Sequence, residues 1–242
     1  MNHPIVHFQT TDSTNIQAKR LAQEGAQHGT VVIAEEQTQG RGRFGRHFYS
    51  PSGQGIYLSI LLRPDRQIPE LGLITCASAV AVYRAIKQET GQDTQLKWVN
   101  DVYWHGKKIC GILVESCVKN GQIDFLVVGI GINTAVTQFP KELEQKAGTL
   151  FVSDRQRLIL TLLSEFDSIY QTLESREFMQ DYIAHSMVIG KRVTLIKGSQ
   201  EEKARVEGIT QDGHLIVFTD QGEKKEISSG EISLKMEEGK LR

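Results

Sequence analysis

The chain has 242 residues, 39% of them hydrophobic, enough for one substantial core and a small appendage. Lys and Arg total 28 against 29 Asp and Glu, a net charge of −1, so no overall basic field exists to hold nucleic acid. No apolar run reaches transmembrane length, and Met1-Asn2-His3-Pro4 lacks the apolar core of a signal peptide.

Ser13-Thr14-Asn15 opens a short helix that stops near Gly25, with Thr14 and Gln17 spaced as a capping box. The apolar run Thr30-Val31-Val32-Ile33-Ala34 then leads into Gln37-Thr38-Gln39-Gly40-Arg41-Gly42-Arg43-Phe44-Gly45-Arg46. Glycine lets a backbone approach a ligand closely, and arginine offers a planar fork of donors to phosphate or carboxylate. Such a loop holds an anion against main-chain N–H groups, or is a solvated turn or a nucleic-acid-binding tail, and a short motif does not decide among them. No Gly-Lys-Ser/Thr follows, which excludes a P-loop, and no helix-like segment follows, which excludes a Rossmann fingerprint. The next run is Gly55–Leu62, so the loop joins two strands.

Residues 69–90 read as a helix, with Leu71, Ile74, Ala77, Ala81 and Ala85 at helical spacing and Gly91 as a stop. Gln95–Val99, a His105-Gly106 turn, Lys108–Glu115, an Asn120-Gly121 turn and Asp124–Asn133 follow as strands of an antiparallel sheet. Asp154 caps a helix through about residue 174 that buries Leu158, Leu162, Phe166, Ile169 and Leu173. After Gly190 the segment Lys191–Lys235 alternates polar with β-branched and aliphatic residues around an Asp212-Gly213 turn, as in a small all-β barrel. The fold expected is α+β: helices on a mixed or antiparallel sheet, then the barrel, with a boundary near 186–190. Cys76, Cys110 and Cys117 form no CxxC pair, which fits reduced, buried thiols in a cytoplasmic protein. The seven histidines lack HxxxH or HExxH spacing, so no zinc site is expected.

An ordered set of segments resembles the biotin–protein ligases. It comprises Ser13-Thr14-Asn15, Glu36-Gln37 with the Gly40–Arg46 loop, Ser50-Pro51-Ser52-Gly53 with Tyr57 and Ser59, and Lys97-Trp98-Val99-Asn100-Asp101. Lys108-Ile109-Cys110-Gly111-Ile112-Leu113-Val114-Glu115, Gly129-Ile130-Gly131-Ile132-Asn133 and the tail Gly230–Leu234 complete it. The resemblance implies a class II aminoacyl-tRNA synthetase-like catalytic domain over residues 1–187 and an SH3-like barrel over 188–242. It implies ATP and Mg²⁺, activation of biotin to biotinyl-5′-AMP, and transfer to a lysine of a biotin carboxyl carrier domain, such as that of acetyl-CoA carboxylase. It admits a homodimer and implies neither nucleic acid nor membrane as a partner.

By the same resemblance, Arg43 holds the mixed anhydride and Lys108 contacts the biotin carboxyl and then the phosphate. Lys107, its neighbour, would face the other way in a strand. Lys97 is a further cation, or an ordinary sheet lysine. Asp101 orients or deprotonates the acceptor amine, or forms a plain salt bridge. The Ser13 and Thr14 hydroxyls, the Gln37 amide and the Arg41 main chain contact the ureido head, Asn15 and Gly42 also bind biotin, and Ser13 and Thr14 can serve as helix caps. Gly111 and Leu113 floor the apolar part, Leu113 doubling as core. Gly40, Arg43, Arg46, Phe48, Asn100, Asn133, Gly131 and Thr149 surround the nucleotide, although Gly129 and Gly131 also suit close strand packing. Mg²⁺ is expected to ride on the phosphates rather than in a protein cage.

Three departures stand out. Val99 replaces the usual proline, Phe48 replaces the usual tryptophan, and only 12 residues precede Ser13, which points to the ligase-only type without a DNA-binding domain. A lipoate ligase or octanoyltransferase shares the expected fold, but the Gly-Arg loop and the barrel argue against it. A ligand-dependent repressor and a simple binding module explain less of residues 37–133.

Overall fold

The computed structural model describes residues 1, 3–64, 71–197 and 200–234. The expected helix start at 69–70 and the end of the C-terminal domain at 235–242 lie outside them. The elements run β1 (Ile5–Thr11), α1 (Thr14–Gln23), β2 (Val31–Gln37), β3 (Gly55–Leu62), α2 (Leu71–Thr90), β4 (Gln95–Lys97), β5 (Asp101–Trp104), β6 (Lys107–Lys119) and β7 (Gln122–Asn133). Helices α3 (Arg155–Gln171) and α4 (Phe178–Ala184) follow, then β8 (Arg192–Lys197), β9 (Gln200–Ile209), β10 (Leu215–Thr219), β11 (Lys224–Ile227) and β12 (Glu231–Leu234).

Seven strands form one sheet in the order β1-β2-β3-β7-β6-β5-β4, antiparallel except for the parallel β1–β2 pair. Strand β1 escapes a reading based on apolar alternation because it is an edge strand with mostly exposed side chains. The hairpin turns form where the sequence puts them. His105-Gly106 and Asn120-Gly121 all take positive φ, the conformation that a two-residue turn demands.

Alternation along the sheet separates two jobs. Ile56, Leu58, Ile60 and Leu62 of β3, with Leu126, Val128, Ile130 and Ile132 of β7, pack towards α2 and α3 in the main core. The opposite parity carries Leu61, Phe125 and Val127, which pack with Ala18 and Ala22 of α1 in a smaller cluster. Beyond α1 that second face continues as Ser59, Tyr57 and Gly55 on β3, paired with Gly129, Gly131 and Asn133 on β7. The face is thus apolar under the helix and small or polar past its N-terminus, which leaves a cleft there.

Asp154 caps α3 as expected, accepting from Arg157 N at 3.0 Å, and all five expected core residues of that helix segment are buried. The capping box expected at Thr14 and Gln17 does not form. Ser13 is the N-cap without a side-chain bond, Gln17 donates to Asp12, and Gln37 Oε1 takes both the Thr14 N–H (2.9 Å) and its hydroxyl (3.1 Å). A side chain from β2 therefore satisfies the free helix-end donor that a local box would have used.

The C-terminal strands form a five-stranded sheet in the order β11-β10-β9-β8-β12. The expected closed barrel is not formed among the described residues. Strands β11 and β12 are consecutive and only three residues apart, yet they occupy opposite edges. Both edge strands are short, with four residues each, and they do not pair with each other among the described residues.

Candidate functional site

The cleft beyond the N-terminus of α1 has an empty volume of about 450 Å³, which includes space open to solvent. Ser13, Thr14, Asn15, Gln37, Arg41, Gly42, Arg43, Phe48, Asn100, Lys108, Gly111, Leu113 and Gly131 line it, with Ile112, Gly129 and Ile130. All ten residues expected around biotin are in this lining.

Its floor is made by glycines for a steric reason. A Cβ on Gly129 would overlap the Asn15 amide, and one on Gly131 would stand 2.5 Å from the Phe48 ring. Gly131 pairs with both Tyr57 and Gly111, and Phe48 also packs edge-on against Tyr57 with ring centroids 6.4 Å apart. Phe48, in the usual tryptophan's place, thus lies across the floor.

Lys108 reaches the cleft through a backbone irregularity. Strict alternation from Gly111 would put Lys107 on the cleft face. The β5–β6 register shifts between Val102 and Tyr103, so that Cys110 and Lys108 oppose successive residues. The extra residue, Ile109, is buried, Lys107 is exposed, and Lys108 turns inward. Its Nζ lies 2.6 Å from Asp101 Oδ1, and a Cβ on Gly111 would be 3.0 Å from that ammonium.

Arg43 enters from a 3-10 turn at Arg43–Gly45. Its Nη1 donates to Asn100 Oδ1 (3.1 Å) and its Nη2 to the Gly230 carbonyl of the C-terminal sheet (2.8 Å). Asn100 is fixed in turn through Ile112, donating Nδ2 to its carbonyl at 3.0 Å and accepting its N–H at 2.9 Å. The loop folds back on itself through Gly42 N–Arg46 O (2.7 Å) and Phe48 N–Gly40 O (2.9 Å), with its tip exposed. Val99, in the proline position, is buried, and its carbonyl accepts from Tyr182 at 3.1 Å.

Other expected residues lie outside this lining. Gly40 and Arg46 border a second concavity on the outer side of the loop. Asp101 stands behind Lys108, and the Lys97 ammonium lies 5.5 Å from the centre of the Tyr103 ring. Asn133 is buried and donates to the Gly148 carbonyl at 3.0 Å, while Thr149 turns its hydroxyl to Val136 O at 2.7 Å. Segment 146–150 runs beside the ends of β6 and β7 through Lys108 N–Lys146 O and Leu150 N–Asn133 O.

Behind the wall Ser50, Ser59 and Glu115, to which the sequence assigns no role, tie the lining residues into a polar network. Ser59, fully buried, lies 2.6 Å from Asn15 Oδ1 and 2.8 Å from Thr14 Oγ1. Gln37 Nε2 donates to Ser50, which donates to Phe48 O. Glu115 accepts from Asn15 (2.8 Å) and Lys19 (2.6 Å) and lies 3.5 Å from Arg41. Burial pushes its carboxyl up, but those donors and cations outweigh it and hold the group below its ordinary value. Period-two parity was the available signal: Ser59 and Glu115 share a face with Tyr57 and Leu113.

The fold and cleft place the chain in the biotin/lipoate ligase class: residues 7–133 match the Biotin/lipoate A/B protein ligase family, and residues 188–235 the Biotin protein ligase C terminal domain. The chain belongs to the biotin protein ligases of that family. It is 33% identical to the bifunctional ligase/repressor BirA of Bacillus subtilis, over 97% of this chain and 75% of that protein. It is also 33% identical to the biotin–[acetyl-CoA-carboxylase] ligase of Mycobacterium tuberculosis, over 92% and 85%. The biotin protein ligase of Aquifex aeolicus, solved with biotin and ATP, superposes with a TM-score of 0.83 at 31% identity, covering 96% of this chain and 98% of that one.

Proposed function

We propose that this chain condenses biotin with ATP and then transfers biotin to a lysine of a biotin carboxyl carrier domain, such as that of acetyl-CoA carboxylase. In the first step a carboxylate oxygen of biotin attacks the α-phosphorus, giving biotinyl-5′-AMP and pyrophosphate. In the second, a neutral lysine amine attacks the acyl carbon, AMP leaves, and the amine loses a proton. The observation that carries the reading is that two cations, Arg43 and Lys108, and the polar set Ser13, Thr14 and Gln37 converge on one glycine-floored cleft.

Biotin lies with its ureido head at Ser13, Thr14, Asn15 and Gln37, its bicycle over Gly111 and Leu113, and its carboxyl at Lys108 and Arg43. The two fixed cations offset the repulsion between a carboxylate and a polyphosphate and stabilise charge developing at phosphorus. Arg41 and Gly42 close over the head. Gly40, Arg46, Phe48, Asn100, Gly131, Asn133 and Thr149 border the nucleotide, with Lys97 as a more distant cation. Asp101, beside Lys108, orients the incoming amine, which is mostly protonated at neutral pH.

No group of three or more His, Cys, Asp or Glu among the described residues could hold a metal. Mg²⁺ would ride on the ATP phosphates and offset their charge. No helix among the described residues is long and apolar enough to cross a membrane. Cytoplasmic location, catalytic and C-terminal domains meeting near residue 187, a homodimer through sheet edges and the absence of a nucleic-acid partner complete the proposal, the last supported by the net charge of −1.

The test incubates the protein with ATP, Mg²⁺ and biotin, with lipoate and octanoate in parallel, and follows pyrophosphate release and acyl-AMP by mass. Biotin-dependent adenylate is expected. Adenylate from lipoate instead would overturn the assignment of Ser13, Thr14 and Gln37.

A further inference from the structure

We propose that Glu115 is a positioning residue that sets the hydrogen-bond polarity of the head end of the cleft, so that Thr14 presents an acceptor to a ligand N–H. The inference rests on the biotin reading above and adds a residue that does not line the cleft.

Glu115 offers two acceptor oxygens to three donors: Oε2 to Asn15 Nδ2 at 2.8 Å, and Oε1 to Lys19 Nζ at 2.6 Å with Arg41 Nη2 at 3.5 Å. A carboxylate has no hydrogen to give, so Asn15 must turn its NH₂ towards it and its Oδ1 away. The Leu113 carbonyl, 3.4 Å from the same Nδ2, favours that orientation too. Asn15 Oδ1 then faces Ser59 at 2.6 Å and takes its only hydroxyl hydrogen. Ser59 has none left for Thr14, 2.8 Å away. The Thr14 hydroxyl hydrogen has two acceptors in the wall, Ser59 Oγ at 2.8 Å and Gln37 Oε1 at 3.1 Å. In either case the Thr14 oxygen turns its lone pairs to the cleft. Gln37 Oε1 is already engaged by the Thr14 N–H, and its NH₂ by Ser50. The head end therefore suits a ligand that donates, as the two N–H groups of a cyclic urea do.

Glu115→Gln disturbs this chain at its source. The variant has one acceptor oxygen, which the Lys19 ammonium and the Arg41 guanidinium claim. Its NH₂ is left facing Asn15, whose amide turns over to accept. Ser59 then receives a hydrogen from Asn15 and gives its own to Thr14, which loses acceptor capacity towards the ligand. Asn15→Leu reaches the same end by a different route, because it removes the oxygen that holds the Ser59 hydrogen. Lys19→Met removes a partner of Glu115 but leaves the Asn15 bond, and so leaves the polarity unchanged.

The experiment measures, by titration calorimetry, the affinity of wild type and the three variants for biotin and for its two mono-N-methyl ureido derivatives, with a thermal melt of each protein. Wild type is expected to prefer biotin by about tenfold or more over the derivative that blocks the N–H facing Thr14. Glu115→Gln and Asn15→Leu are expected to bind biotin about tenfold more weakly and to lose most of that preference, while Lys19→Met keeps it. Should Glu115→Gln fail to fold, Asn15→Leu decides. Retention of the wild-type preference by the folded variants overturns the proposal, even if overall affinity falls, and so does an equal loss in Lys19→Met. A wild type that binds no biotin overturns the functional reading itself, which separates the two failures.

Discussion

The Phe48 ring lies over Gly131, close enough that a Cβ on the glycine would stand 2.5 Å from its Cε1. The ring also borders Gly111 and Tyr57, so it has little freedom to retreat. Gly131→Ala should therefore lift Phe48 into the cleft and weaken biotin binding by roughly ten- to a hundredfold, the cost of overpacking. In the Phe48→Ala background the same substitution should cost far less, because the clashing group is gone. Calorimetry on the four proteins of this cycle checks it, and additive losses would refute the steric account.

Lys108 and Asp101 form an ion pair that exists because of the bulge at Ile109. Lys108→Ala should lower adenylate formation by about a hundredfold or more, on the scale of losing a charged transition-state contact. Asp101→Asn should keep most adenylate formation and slow transfer to the acceptor lysine by about tenfold or more, as the proposed role of its charge in orienting the amine requires. Single-turnover measurements with preformed adenylate separate the steps. A variant slowed equally in both would assign Asp101 only to holding Lys108.

Much of this arrangement was legible in the sequence, for identifiable reasons. The turns at His105-Gly106, Asn120-Gly121 and Asp212-Gly213 carry residues that their backbone demands, and α3 declares itself by its cap and periodicity. The cleft lining followed from ordered motifs. What stayed hidden depends on side chains meeting across the fold. Gln37 displaces the local cap at Thr14, and Glu115 joins Asn15 and Lys19 of α1 to Arg41 of the loop. Lys108 lines the cleft, but its parity with Gly111 is resolved only by a bulge that no residue type announces. That the C-terminal sheet does not close among the described residues reflects strand lengths and edge positions, which alternation alone does not specify.

Glu115 also makes a prediction in pH. Its folded-state carboxyl titrates below its ordinary 4.5, since the donors and cations of Lys19, Asn15 and Arg41 outweigh the effect of burial. The unfolded chain thus binds the proton more tightly, and stability rises with pH until the unfolded group has ionised. The contribution is fully present above about 4.5 and is lost as pH falls through the lower folded value. Melting temperatures of wild type and Glu115→Gln should run parallel from pH 5 to 7 and converge below pH 4 as the wild type loses this advantage. Parallel curves throughout would show that the carboxylate is no better stabilised in the folded protein.

Arg43 is tied to Asn100 on one side and to the Gly230 carbonyl on the other, so the loop, the β4–β5 turn and the C-terminal sheet meet at one guanidinium. A group so placed can keep an acyl-adenylate in the cleft until the acceptor arrives. Arg43→Gly removes it without opening the core, because the side chain is only partly buried and lies outside both apolar clusters. The variant should fold with a melting temperature close to wild type, still form adenylate, and release it at least tenfold faster, as loss of a charge-assisted contact implies. Released adenylate would acylate exposed lysines at random, so bystander proteins in the mixture should acquire biotin. Streptavidin blotting of a bystander such as serum albumin, with filtration to capture free biotinyl-5′-AMP, measures both effects, and normal retention with normal acceptor selectivity would remove Arg43 from this role.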